Sequence, residues 1–188
     1  MTLNSNLLQA HTPTAREELW RFTPLAKLRG LHDISVPLTP RVSLSSNEDA
    51  NGVKISIVDA SHKGNTNDLV TMRVRSTARK ALRLDIAANS EIAAPIFLSR
   101  SIESLDPEAS RTEIVLAPNS RATVIVENRG SVTLAEEIQI VVGDGATLNF
   151  VSLQEWESDA VHLGSHHAII GKDVTFNSTV ITLGGALV

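Results

Sequence analysis

The sequence predicts a mainly β protein whose later part is a β-solenoid, and three observations point there. The first is a repeat: Val142-Gly143-Asp144-Gly145-Ala146-Thr147-Leu148-Asn149-Phe150 is matched by Ile170-Gly171-Lys172-Asp173-Val174-Thr175-Phe176-Asn177-Ser178. Both read aliphatic, Gly, two turn formers, small or β-branched, Thr, bulky apolar, Asn, and the second starts 28 residues after the first. Self-similarity at such a period marks stacked units, each burying its apolar face on its neighbours. The two copies should therefore lie side by side with Leu148 beside Phe176. A third, looser copy, Ala117-Pro118-Asn119-Ser120-Arg121-Ala122-Thr123-Val124-Ile125, fits if its turn is one residue longer. The second observation is the period-2 alternation of apolar residues from Val36 onward, broken by frequent turn signals. The third is an aromatic content of only 3% with no Tyr, which leaves Val, Ile, Leu and Ala to fill the core, as flat stacked coils require.

At 188 residues the chain is one domain, or one domain with an appendage. A hydrophobic share of 42% beside 20% charged residues is ordinary for a globular protein. A net charge of −4 points away from nucleic acid and from an anionic membrane. Cysteine is absent, which removes disulfides, thiolate catalysis and Cys-based zinc or cluster ligation from this chain. No apolar run approaches the roughly 18 residues of a membrane span, and no apolar signal core opens the chain, so the expected compartment is the cytoplasm.

Residues 1–11 are polar and expected to be loose. A helix should open at Thr12-Pro13, with Pro at the first helical position, or at Thr14-Ala15-Arg16-Glu17, a capping box. Pro24 disfavours helical dihedrals at Thr23, so the helix breaks there and Thr23 caps a second short piece. That piece places Leu25 and Leu28 on one face and ends at Gly30, while Trp20 and Phe22 read as the apolar side of a docking helix. A linker at 33–40 leads into the β region. Val42 with Leu44, and Val53 with Ile55 and Ile57, mark two strands around a loop at Asn47–Gly52. Further strands are expected at 69–75, 82–87, 96–98, 112–116, 123–127, 137–142, 147–153, 162–170 and 174–183, with no helix of useful length between them. Gly184-Gly185 reads as a turn.

Little in this pattern is reactive. His162 and His166 are four apart, which on a strand puts them on one face but about 13 Å apart, too far to share an ion. His167 faces the other way, so the three read as solvated or turn-adjacent. Glu155, Glu157 and Asp159 read as a solvated loop. The hexamers beginning at Val142 and Ile170 also fit the signature of left-handed β-helix acyl- or nucleotidyl-transferases, but those run in tandem, three to a coil, and here each is isolated. No phosphate loop opens a helix and no Ser sits in a nucleophile elbow. No catalytic, cofactor-binding or metal-ligating residue is assigned, and no cofactor is expected.

Three stretches together resemble the SufD family and, more broadly, the paired SufB/SufD scaffold proteins of iron–sulfur cluster assembly. They are Glu18-Leu19-Trp20-Arg21-Phe22-Thr23-Pro24-Leu25 with Leu28, the segment from Leu116 through Val126, and the segment from His162 to Val188. The resemblance implies a right-handed parallel β-helix after a short helical segment, here 1–35, with a β-rich region over 36–188 and coils from about 110 onward. It implies a non-catalytic subunit working with SufB and the SufC ATPase. Family members are about twice this length, so the resemblance covers an N-terminal half, truncated inside the repeat. The coils that pair with SufB and the domain that holds SufC fall outside that half. Contacts with SufB and SufC are therefore expected of full-length members and not through this fragment.

Overall fold

Four tight turns set the coil. They occupy residues 87–90, 117–120, 143–146 and 171–174, and the third residue of each is left-handed: Asn89 (φ 59°), Asn119 (φ 57°), Gly145 (φ 69°) and Asp173 (φ 54°). Asn, Asp and Gly are the residues that reach this conformation at least cost. The turns stack through their backbones, Asn89 N–H donating to Pro118 O, Asn119 N–H to Asp144 O and Gly145 N–H to Lys172 O at 2.8–3.1 Å. A side chain at Gly145 would put its Cβ 2.4 Å from the Asn119 amide oxygen, so the third turn takes glycine.

The computed structural model describes residues 11–42, 44–46, 50–61 and 64–188. In chain order the elements are a 3-10 turn at Leu25–Leu28, β1 (Thr39–Arg41), β2 (Ser45–Ser46), β3 (Val53–Asp59), α1 (Leu69–Thr77), β4 (Lys80–Ile86), β5 (Ile96–Leu116), β6 (Arg121–Val142), β7 (Thr147–Trp156), β8 (Val161–Ile170) and β9 (Thr175–Gly184). β5 and β6 each bend once and so supply a strand to both walls. One wall stacks the first half of β5, the first half of β6, β7 and β9; the other stacks β4, the second halves of β5 and β6, and β8, all parallel. The result is a β-solenoid of about four turns. At the bends Gly130 has φ 103° and a Cβ there would lie 2.1 Å from Ile102 O, a close approach that only glycine permits.

The matched repeats stack as expected, with Leu148 opposite Phe176 and Asn149 opposite Asn177. The third copy needs a correction. Its turn is no longer than the others: Leu116 lies opposite Val142 and Arg121 opposite Thr147, so Thr123 faces Asn149. Parallel pairing also begins upstream of residue 110, with Leu82 opposite Thr112 and Ile96 opposite Val124. Between the walls lies an aliphatic core that includes Leu84, Ile96, Leu98, Ile114, Val124, Ile138, Ile140, Leu148 and Phe150.

The strand expected at 69–75 is the helix α1. Its β-branched residues suggest a strand, but Asp68 caps it by accepting the Thr71 N–H at 2.7 Å, and helical spacing brings Val70 and Val74 onto one face. That face packs on Ala109, Ala135 and Val161, small residues on the outside of the second wall, together with Leu31 and Leu38. Arg75 reaches past this contact to Glu137 at 2.6 Å, and Arg111 holds the other oxygen of Glu137 at 2.9 Å, all three buried.

Ahead of Pro24 the chain makes successive turns instead of a helix, Glu17 N–H to Thr14 O, Trp20 N–H to Glu17 O and Thr23 N–H to Trp20 O. Half of the capping box forms, Thr14 N–H donating to Glu17 Oε1 at 2.7 Å, but the segment before the proline is too short to propagate. Trp20 packs on the second core cluster. Phe22 does not: it is 85% exposed, under the Arg21 guanidinium. The strand expected around Val42 and Leu44 is two short pieces, β1 and β2, to either side. Residues 1–10 and, in the expected loop, 47–49 lie outside the described residues.

Candidate functional site

The inner faces of the strands carry apolar residues at every second position, and one level of the solenoid breaks that rule. In β5 the inward phase runs Ile96, Leu98, Arg100, Ile102; in β6 it runs Val124, Val126, Asn128 and then Leu134, Glu136, Ile138; in β7 it reaches Gln154. Strand register aligns these exceptions, Arg100 beside Asn128 beside Gln154 beside Thr182 on one wall and Ser110 beside Glu136 on the other. A polar column thus runs along the solenoid axis through an otherwise aliphatic core.

Glu136 is its centre. Arg100 Nη2 donates to Oε1 at 2.6 Å and Asn128 Nδ2 to Oε2 at 3.4 Å, while His162 Nε2 stands 3.4 Å from Oε2. Burial alone would raise the Glu136 pKa, but the Arg100 charge and the His162 ring outweigh it and hold the carboxyl at about 2. Thr182 Oγ1 donates to Gln154 Oε1 and Gln154 Nε2 to Ser152 Oγ, both at 3.3 Å. Several buried polar atoms around Glu136 have no hydrogen-bond partner among the described residues: Arg100 Nε and Nη1, Asn128 Oδ1, Trp156 Nε1 and both ring nitrogens of His162. Spare donors and acceptors of this kind can solvate a small polar or anionic guest.

The three histidines part company on β8. His162 is a correction to the solvated reading, being 1% exposed, turned inward and 5.2 Å from the Trp156 ring. The next inward ring, His166, meets Phe150 edge-on at 5.4 Å. His167, facing outward, lies against Gly64. Among the described residues no three His, Cys, Asp or Glu side chains converge as a metal site. Of the acidic loop, Glu155 pairs with Arg129 at 2.6 Å and Asp159 accepts from Ser131 Oγ at 2.8 Å. A cavity of about 570 Å³ opens over the edge of β8, lined by Trp20, Leu28, Asp68, Val74, Glu136 and His162 among others. Arg100, Asn128, Glu136 and Gln154 escape a search for reactive motifs, but their phase betrays them, since each occupies a position where its strand otherwise puts an apolar side chain inside.

Residues 99–188, which hold most of the solenoid and its polar column, match the SufBD core domain of the SUF system for FeS cluster assembly. An iron–sulfur cluster assembly SufBD family protein of Mycobacterium leprae is 33% identical over 184 residues, covering 94% of this chain and 46% of its own length. This chain belongs to the SufBD family. SufBD family proteins of Mycobacterium bovis and of Mycobacterium tuberculosis strain H37Rv are 31% and 30% identical over 182 residues, again covering 94% of this chain and 46% of theirs. The chain thus spans about half the length of the curated SufBD relatives it matches. Two of the three stretches that carried the resemblance lie within the matched SufBD core, one joining β5 to β6 and one forming β8 and β9. The third, Glu18 to Leu25, supplies Trp20 to the cavity. Among the described residues no helix is long and apolar enough to cross a membrane.

Proposed function

We propose that this chain serves iron–sulfur cluster assembly in the cytoplasm as a structural subunit without catalysis of its own, on the SufD-like side of the SufB/SufD pair. The observation that carries this reading is the make-up of the solenoid interior. Its polar positions are Arg, Asn, Glu, Gln, Ser, Thr and His, and the chain holds no cysteine at all. Neither sulfur carriage on a thiol nor thiolate ligation of iron can then rest on these residues. A thiol-bearing SufB-type partner handles the cluster.

Two measurements test the proposal. Deleting the gene should lower the activity of [4Fe–4S] enzymes in cell extracts, and chemical reconstitution of the clusters should restore it; unchanged activity would remove the assembly role. Co-expression of the tagged 188-residue chain with SufC alone should leave the SufC ATPase in the unbound fraction. Retention of SufC at micromolar affinity would show that this half carries the docking surface after all.

A further inference from the structure

The solenoid interior buries an ion pair that its side chains only half satisfy. Arg100 and Glu136 meet across the two walls, each side chain 1% exposed. Arg100 Nη2 donates to Glu136 Oε1 at 2.6 Å, which leaves Nε and Nη1 without a partner among the described residues. Trp156 Nε1, Asn128 Oδ1 and both ring nitrogens of His162 share that state, and these side chains too are buried. All of them close on one carboxylate. Asn128 Nδ2 and His162 Nε2 each lie 3.4 Å from Glu136 Oε2, and the Trp156 ring is 5.2 Å from that of His162. Small residues leave room beside them: Ser110 on β5 and Gly164 on β8 stand in register with Glu136, and Gly130 on β6 stands in register with Trp156. Buried polar atoms without a partner are rare in folded proteins, and ordered water is what satisfies them where the site is polar and roomy.

We propose that the polar column is an internal hydration site, in which about two or three water molecules bridge Arg100, Asn128, Trp156 and His162 around Glu136. Hydrogen-bonding chemistry selects water over an ion. Arg100 Nε and Nη1 and Trp156 Nε1 only donate, Asn128 Oδ1 only accepts, and a neutral His162 ring does one of each. An anion would answer the donors and leave Asn128 Oδ1 unsatisfied; a metal cation would do the reverse. Water does both. Arg100 and Glu136 also cancel in charge, so the column attracts neither sign, and the Glu136 carboxylate opposes an anion at close range. The unpartnered groups have capacity for roughly seven hydrogen bonds and a buried water makes about three, which sets the number. Along the strands Leu98 and Ile102 flank Arg100, and Leu134 and Ile138 flank Glu136, so aliphatic side chains close the site to larger solutes. The waters complete the shell of a charge pair that the aliphatic core alone would leave half solvated, whatever part the chain plays in cluster assembly.

Water–protein NOE and ROE spectra of the isotopically labelled chain test this. Cross-peaks from water to Trp156 Nε1–H and Arg100 Nε–H are expected, with opposite sign in the two experiments, as water held for nanoseconds or longer gives. Trp156→Phe assigns the indole signal against that of Trp20. Arg100→Met combined with Glu136→Leu replaces the pair by apolar side chains and should abolish the Trp156 cross-peak. Relaxation dispersion of the water oxygen nucleus, which counts long-lived waters without assignment, should fall by about two or three waters in the same variant. Where that variant fails to fold, the wild-type spectra decide alone. Absence of both wild-type cross-peaks overturns the proposal, and so do peaks of equal sign, which report proton exchange only. A saturable shift of the Trp156 indole signal on titration with sodium chloride would put an anion in the column and overturn it as well.

Discussion

At the scale of single residues, the carboxylate of Glu136 sets the response of the fold to acid. Its ordinary pKa is 4.5 and it is held at about 2, so the folded value lies below the unfolded one. Such a group contributes stability that is fully present above about pH 4.5 and is lost as pH falls through about 2. The thermal midpoint should therefore fall steeply between about pH 4.5 and pH 2. Glu136→Gln keeps the shape but leaves the Arg100 guanidinium buried without its counter-charge, which costs about 3–5 kcal/mol at neutral pH. The same variant should show a shallower acid dependence, because the titrating partner is gone. Thermal unfolding followed across pH for both proteins decides it: parallel curves would place the acid-sensitive group elsewhere.

At the scale of elements, the four stacked turns govern where each coil begins. Asn119 holds the left-handed position of the second and donates to Asn89 Oδ1 at 3.3 Å. Asn119→Val should lower stability by about 1–2 kcal/mol, since a β-branched residue resists this conformation, whereas Asn119→Gly should stay within about 0.5 kcal/mol of wild type. Urea midpoints of the two variants check the contrast, and equal losses would mean that the side-chain bond matters and the backbone angle does not. The same turns explain how much of the fold was legible. The copies at Val142 and Ile170 stand out because in both the turn opens with glycine and leads into Thr, a bulky apolar residue and Asn. The copy at 117–120 was misaligned by matching Thr123 to Thr147, when the quantity that repeats is a left-handed third residue, satisfied equally by Asn, Gly and Asp. Helix α1 was hidden for a related reason. Its cap, Asp68, precedes a β-branched run, and its packing surface, Ala109 and Ala135, lies on strands far along the chain. The polar column was half visible: phase marks Arg100 and Glu136 as inward, but only the stacking of coils shows that they meet.

At the scale of the whole molecule, a stack of coils is stabilised mainly by contacts between neighbours, so stability need not be uniform along it. Both halves of β6 and the second half of β5 have a paired strand on both sides, the first half of β5 has β6 on one side and only the two-residue β2 on the other, and the upstream end is tied further by Arg75 and Arg111 on Glu137 and by Arg41 on Glu108. β8 and β9 are paired along their length on one side only, to β6 and β7, with a short bridge between Val161 and Leu187 on the open side. Their side chains are largely exposed where those of β5 and β6 are buried. Opening should therefore start at β9 and β8 and move upstream one coil at a time. Hydrogen exchange on the 188-residue chain should find the slowest amides in β5 and β6. Bonded amides of β8 and β9 should exchange at least about tenfold faster, with β7 between them. The order carries the information. A solenoid held together chiefly by its neighbour contacts frays from the end with fewer of them, while protection uniform from Ile96 to Gly184 would mean that the shared aliphatic core couples all coils into one cooperative unit. Adding Glu136→Gln separates these cases further, because a central defect uncouples the coils on either side of it. In the fraying case exchange quickens in β7–β9 and leaves the first half of β5 protected, and in the cooperative case every amide quickens together.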